Sequence, residues 1–318
     1  MQFVVKKTTE LTEEQKLSMH KLFEEVYGKE RALDAFERQY TQNCEGYSYH
    51  TIAEVEGEIV ASNTMVPSRY FVNGELRRFV NSIDTMVAKG HRGIENFYDM
   101  IKTSFGDAAE RGYDAVYGAP NDNSYELFTK LGFMSDVGKL DVYCLPYRVG
   151  GVKWKLKLLN PCSMLFSRLW AWTSSLFASK RVTHFHIEKD AESYNATRYK
   201  RLDGNYVLAQ AGTTTFAYKV MEHEGVRTAF IIDVFDKSPK NFCKAVSHLL
   251  KHESKNFDLI LYVGHLPFGC TGLVKLPAKY APKEFNFTAG VFNKDTINKK
   301  ELLNLDNWDV NLASYDLI

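Results

Sequence analysis

What the chain lacks narrows it first. Net charge is close to absent: 40 Lys and Arg stand against 39 Asp and Glu, leaving +1. That balance argues against a nucleic-acid binder working through a broad basic surface. Paired cysteines are missing too. Cys44, Cys144, Cys162, Cys243 and Cys270 are odd in number, scattered and without C-x-x-C spacing, so they fit reduced thiols in the cytosol rather than a disulfide framework. The opening MQFVVKKTTELTEEQ has no long apolar run and no signal-peptide pattern, and a cytoplasmic protein is expected. G-x-S-x-G, a Walker loop and H-E-x-x-H are absent. His184-Phe185-His186 puts two imidazoles on one strand face, but no cysteine or carboxylate follows at ligand spacing, and no metal is expected.

What is present is organised around residues 79–105, FVNSIDTMVAKGHRGIENFYDMIKTSF. Residues 79–87 read as a buried strand with a polar interruption. Lys89-Gly90-His91-Arg92-Gly93 supplies two flexible glycines and three side chains that are or can become cationic. Ile94, Phe97, Ile101, Phe105 and Ala108 then recur at spacings of three and four, the apolar stripe of an amphipathic helix. A helix opening after such a turn points unpaired N–H groups and the positive end of its dipole forward, where phosphate is the usual occupant.

Upstream, Phe3-Val4-Val5 reads as a first strand. Thr12 and Gln15 have the spacing of a capping box, followed by Met19, Leu22, Phe23 and Val26 on one helical face, and residues 31–40 form a second helix. Residues 49–55 and 59–66 flank Glu56-Gly57, and 69–72 and 75–80 flank Asn73-Gly74, which gives an antiparallel meander. Downstream, a short strand over 113–117 leads through Gly118-Ala119-Pro120-Asn121-Asp122-Asn123-Ser124 into a helix over 125–131, stopped by Gly132. Residues 140–146 read as a sixth strand.

Val87-Ala88-Lys89-Gly90-His91-Arg92-Gly93 resembles the strand exit and pyrophosphate loop of the GNAT acyl-CoA N-acyltransferases. The segment from Pro120 to Phe133 resembles the part of that fold where two parallel strands split to admit the pantetheine arm. The resemblance covers about residues 3–148 and implies an α/β fold, a GNAT-like mixed twisted sheet with flanking helices. It implies acetyl-CoA as acyl donor, held by Arg92, Gly93, Ile94, Glu95, Asn96 and Phe97 of the loop and helix start, by Asn121, Ser124 and Phe128, and by the backbone of Met86 and Val87, whose amides polarise the thioester carbonyl. Glu95 and Phe97 stand where the motif usually has glycines. Phe128 falls where many members carry a Tyr that protonates the leaving thiolate, which turns attention to Tyr125 one turn away. For a base, the chemistry of acyl transfer directs attention to Asp84, the carboxylate inside the anchor strand, with Glu54 and His50 on the neighbouring one.

Residues 150–181 are basic and aromatic, divided by Asn160-Pro161, and neither half approaches the roughly 20 apolar residues a membrane span needs. They read as a linker helix whose aromatics pack between domains, the other reading being a surface-lying membrane anchor. Beyond them, residues 205–210, 213–219 and 228–235 read as strands, Ser238-Pro239 opens a helix with Phe242, Ala245, Val246, Leu249 and Leu250 inward, and 257–263 is a buried strand. This repeats the first half with acids in place of a phosphate loop, a second, degenerate GNAT-like module. The expected division is 1–148, 149–182 and 183–318. The resemblance implies an N-acyltransferase for a small-molecule amine, such as an amino sugar in polysaccharide synthesis, working as a monomer or homodimer. The alternatives are a non-catalytic relative with a degenerate CoA loop and a membrane-surface acyltransferase acting on a lipid-linked substrate.

Overall fold

The computed structural model describes residues 1–200, 206–281 and 284–314. In chain order the strands are β1 (Val4–Lys7), β2 (Tyr49–Val55), β3 (Glu58–Val72), β4 (Glu75–Val87), β5 (Ala115–Gly118), β6 (Ser135–Lys139), β7 (Asp141–Pro146), β8 (Ile187–Lys189), β9 (Val207–Ala211), β10 (Thr214–His223), β11 (Val226–Val234), β12 (Leu259–Gly264), β13 (Val274–Lys275) and β14 (Asn286–Val291). The longer helices are α1 (Glu13–Tyr27), α2 (Leu33–Thr41), α3 (Ile94–Glu110), α4 (Asp122–Lys130), α5 (Asn160–Phe177) and α6 (Pro239–His252). Asn205, where the sequence places the start of a strand, lies outside the described residues.

The described residues divide into two compact units: 1–139 with 186–200 and 285–308, and 140–185 with 206–281, 284 and 309–314. The first is a mixed sheet in the order β1-β2-β3-β4-β5-β14-β6, with β8 added to β3. β2, β3 and β4 form the expected meander. The central strand β3, read in sequence as two strands over 59–66 and 69–72, is continuous, because Pro67 costs a single N–H donor without ending it. β4 and β5 are parallel, joined through α3. Phe97, Met100, Ile101, Phe105 and Ala108 pack on one sheet face with Tyr49, Ala53, Met65, Val80 and Val116, while Met19, Leu22 and Phe23 of α1 and Phe36 and Tyr40 of α2 gather with Ile52, Ile59 and Met86. Each such side chain contributes about 1.5–3 kcal/mol by leaving water.

The second unit repeats this plan in the order β13-β7-β12-β11-β10-β9, with β11 and β12 parallel and α6 between them in sequence. Phe242, Ala245, Val246, Leu249 and Leu250 of α6 form its core, as the helical spacing predicts.

Two boundaries differ from the sequence reading. β7, read as the sixth strand of the first domain, pairs with β12 in the second unit, Leu145 opposite Ile260. The place between β5 and β6 is taken by β14, from the far half of the chain. Each sheet is therefore completed by a strand from the other half of the sequence. Gly290 makes the fit of β14 possible, since a Cβ there would meet the Phe133 carbonyl at 2.9 Å and Val116 at 3.1 Å. Trp308 holds the returning segment in place: it is fully buried among Tyr70, Phe79, Tyr117 and Phe287, and its Nε1 donates to Leu302 O at 2.7 Å.

The second difference is the stretch 149–182, expected to be a linker with aromatics packed between domains. α5 instead belongs to the second unit. It turns the small residues Ser167, Ala171 and Ser174 inward and leaves Phe166, Trp170, Trp172 and Phe177 exposed.

Candidate active site

The parallel β4–β5 ladder ends at the pair Asn81–Tyr117, whereas β4 runs on to Val87 with β3 alone as partner. The strands part just after Gly118, which lies so close to β4 that a Cβ would meet Ser82 O at 3.1 Å. Beyond that point one edge of β4 faces a cleft instead of a strand.

Within the same segment β4 carries a bulge. Ser62 faces Met86 and Thr64 faces Ile83, so Asp84 and Thr85 together oppose Asn63. Asp84 has φ +46°, a left-handed conformation that costs a non-glycine residue about 1 kcal/mol or more. The buried Asn63 amide pins the bulge: its Oδ1 accepts from Thr85 Oγ1 at 2.8 Å and Ser82 Oγ at 3.1 Å, and its Nδ2 donates to Ser104 Oγ of α3 at 2.8 Å. Sequence reasoning passed over Asn63, although a polar amide inside IVASNTMV is the signal that would have found it.

Past the bulge, Ala88 N–H donates to Val60 O at 2.8 Å. Strand alternation then turns the Met86 amide toward β3 and the Val87 amide away from it, into the cleft. Of the two amides expected to polarise a carbonyl, Met86's is taken by the ladder and Val87's faces the open side. On that side Arg92 folds back, its Nε donating to Val87 O at 3.2 Å.

The α3 N-terminus stands at the mouth of this cleft. Gly93 provides no side-chain cap, and among the described residues no acceptor meets the amides of Ile94, Glu95 or Asn96. Asn96 Nδ2 instead secures the loop by donating to His91 O at 2.8 Å, and the Lys89 amide is held by Glu25 at 2.9 Å. Lys89, Arg92 and Glu95 are exposed, so two cations and one carboxylate share the rim. These unpaired amides and the Arg92 guanidinium fit a diphosphate; Glu95 opposes it.

On the other lip, Asn121 caps α4. Its Oδ1 accepts from Ser124 N and Ser124 Oγ, both at 3.1 Å, which leaves its exposed amide group facing solvent. Tyr125 is half-buried on the first turn of α4. Phe128, expected at the cofactor, is 2% exposed and lies in the core against Phe97 and Phe105. Phe97 itself is buried there, not set at the loop surface, because both rings fall on the apolar stripes of their helices.

The three candidate bases separate clearly. Asp84 sits where α2 meets the bulge: Tyr40 Oη donates to its Oδ2 at 2.5 Å, and Arg31 Nη1 lies 3.4 Å away. Burial, followed by the Asp84 charge, pushes the nearby Tyr27 phenol well above its ordinary pKa. His50 is fully buried, with Nε2 2.9 Å from Thr8 Oγ1 and Nδ1 3.0 Å from Thr64 Oγ1, and burial lowers its pKa to about 3. It is a neutral structural group without a free nitrogen. Glu54 is exposed and bonded to Gln15.

His186 bonds Asn73 at 2.8 Å in the first unit, and His184 belongs to the second. Among the described residues, no group of three or more His, Cys, Asp or Glu is placed to hold a metal ion. No helix of the described residues is long and apolar enough to cross a membrane.

The Acetyltransferase (GNAT) domain family matches residues 7–135. No curated protein matches the chain. Among solved structures, a GCN5-related N-acetyltransferase from Anabaena variabilis superposes with TM-score 0.60 at 12% identity, over 92% of this chain and 74% of that one. A probable N-acyltransferase from Enterococcus faecalis gives 0.58 at 10% identity, over 92% and 73%. Eis1 from Mycobacterium abscessus gives 0.54 at 11% identity, over 92% and 74%. At such identities the likeness is one of fold.

Proposed function

We propose that the chain is an acyl-CoA-dependent N-acyltransferase, with acetyl-CoA as donor and a small-molecule amine, such as an amino sugar, as acceptor. The observation that carries this reading is the parting of β4 from β5 with the unpaired α3 amides and Arg92 at its mouth. A thioester brings an electrophilic carbonyl and a thiolate leaving group. The protein's part is to hold the diphosphate on the amides of Ile94, Glu95 and Asn96, thread the arm between the strands past Asn121, and donate from Val87 N–H to the carbonyl oxygen as charge develops there.

In this reading Asp84 takes a proton from the amine. It lies on the bulge, beside the cleft edge of β4, and is oriented by Tyr40 and Arg31. The amine nitrogen forms the new C–N bond, the C–S bond breaks, and the thiolate receives a proton from Tyr125, about one turn before Phe128 on α4. The mode is cytoplasmic and metal-free.

A second reading, a binding relative that no longer turns over, is favoured by Glu95 at the diphosphate position and by the aromatic ring at Phe128. Calorimetric titration with CoA and acetyl-CoA, followed by thiol release across a panel of amines, tests both. Absence of binding sinks the first reading; binding without turnover of any amine supports the second.

A further inference from the structure

α5 inverts the usual arrangement of a surface helix. Its buried positions, Ser167, Ala171 and Ser174, are small. Leu165, Leu169, Trp172 and Leu176, spaced i, i+4, i+7 and i+11, form a stripe that faces solvent at 61, 51, 59 and 59% exposure. The 3-10 turns over Trp154–Leu159 continue it: Trp154 is 77% exposed and Leu158 93%. Scattered exposed leucines need no explanation, but a contiguous patch of this kind marks an interaction surface.

Charge says what kind. Residues 142–187 contain no Asp or Glu, while Lys153, Lys155 and Lys157 alternate with the apolar residues and Lys180 and Arg181 follow the helix. Asp258, near its base, is already bonded by Arg227 and paired with Arg148. Beside Ser175 of α5 opens a cavity of about 520 Å³ whose lining includes Lys240, Lys244, Lys251, His248 and His252 and no carboxylate. Among the described residues, the Lys240 and Lys244 ammoniums meet only neutral acceptors there, the Ser175 carbonyl and the hydroxyls of Thr213 and Thr214 among them.

We propose that this face docks on an anionic membrane surface, with α5 and the turns before it lying in the interface and the lysines against lipid phosphates. Tryptophan, leucine and lysine together are the composition of such interfacial helices, which need no membrane-spanning length. A second copy of the chain fits poorly, because self-pairing of the patch would bring its cations together without a counter-charge. The proposal is independent of the acyl-transfer reading.

The test is flotation of the full chain with vesicles of phosphatidylcholine alone and of phosphatidylcholine with phosphatidylglycerol, at low and high salt. Binding to the anionic vesicles is expected, weakened by salt and accompanied by a blue shift of tryptophan emission. Replacing Trp154, Leu158, Trp172 and Leu176 by Ser should abolish it. These side chains are exposed, so circular dichroism should be unchanged; Lys153→Ser with Lys155→Ser and Lys157→Ser provides a variant that keeps every apolar contact. Each lysine removed should lower partitioning by about fivefold. Failure of the wild type to float with anionic vesicles, or unchanged flotation of either variant, would overturn the proposal. So would a wild-type dimer that the Ser variant converts to monomer while neither floats, which would assign the face to a second copy.

Discussion

Phe97 of α3 stands edge-on to Phe128 of α4, their centroids 5.2 Å apart and both rings buried. These are two of the positions where the chain departs from the GNAT pattern, and the departures meet each other in one core. Phe128→Ala should therefore cost about 3–5 kcal/mol of stability in urea denaturation. Phe128→Tyr should not restore a proton donor to the cleft. It would bury a hydroxyl among Phe97 and Phe105, lower stability by about 1–3 kcal/mol and leave turnover no faster. A rate gain in that variant would place the ring at the cleft after all.

Asp84 carries the proposed proton transfer. Asp84→Asn preserves its volume and one acceptor for Tyr40 but removes the base, so kcat/KM should fall at least about a hundredfold. The loss of the Arg31 pairing should also lower stability, by up to about 3 kcal/mol, since the pair is mostly buried although loose at 3.4 Å. Steady-state kinetics with thermal melting separates the two effects: an unchanged rate would return Asp84 to a structural role. Glycine at this position would relieve the φ of +46°, yet it should be no better a catalyst than Asn.

The meander, the turn before α3 and both amphipathic core helices were legible in sequence because each is a local pattern. Asn73-Gly74 specifies its hairpin, Thr12 and Gln15 cap α1, and α6 shows its apolar face in its spacing. The exchange of β7 and β14 was not legible. Both are short apolar strands that would satisfy either sheet, and the choice rests on contacts such as Gly290 against Phe133 that are distant in sequence. The bulge was hidden for a similar reason. It shows as a register shift between β3 and β4, and only pairing reveals that two residues oppose Asn63. The inward face of α5 misled because hydrophobic periodicity names an apolar stripe without saying which way it points.

Glu95 lies in the first turn of α3, exposed and beside the amides proposed to hold a diphosphate. Glu95→Gln should tighten CoA binding several-fold at low ionic strength, because a like charge at close range in water is worth about 1 kcal/mol. Salt should erase the gain. The helix itself loses a favourable dipole partner, so a small fall in melting temperature is expected alongside. Calorimetry at two salt concentrations reads the sign; no change in affinity would move the diphosphate away from this turn.

His50 sets an acid limit on the fold. Its pKa is lowered by burial from an ordinary 6.5 to about 3, so between those values the unfolded chain binds a proton that the folded chain does not. Stability should rise with pH through that window and level off above about 6.5, the opposite of a histidine that gains a carboxylate partner. Urea midpoints measured at pH 7.5 and pH 5 should fall on acidification. His50→Gln, which keeps hydrogen-bonding capacity toward Thr8 and Thr64 without the titration, should show a shallower fall. An equal fall in the variant would assign the acid sensitivity to other groups.

One molecule of CoA per chain is expected, since the second unit has closed the equivalent place. Between β11 and α6, Lys237 lies 6% exposed, 2.5 Å from Asp233 and 2.6 Å from Asp309. Burial works against its ammonium, but the two carboxylates outweigh it and raise its pKa. Asn311 Nδ2 adds a bond to Asp233 at 2.7 Å. The α6 N-terminus is capped by its own Ser238, whose Oγ accepts from Asn241 N at 3.2 Å, and Pro239 removes a further donor. Among the described residues, Lys237 is thus neutralised and the first turn of α6 is closed by Ser238 and Pro239, which leaves no diphosphate cradle like that of α3. Lys237→Met leaves two buried carboxylates facing each other and should cost about 3–5 kcal/mol. It should leave CoA stoichiometry at one, because the site it disrupts is structural. A stoichiometry near two in the wild type, reduced to one in that variant, would show that the second unit binds nucleotide by a route other than its helix terminus.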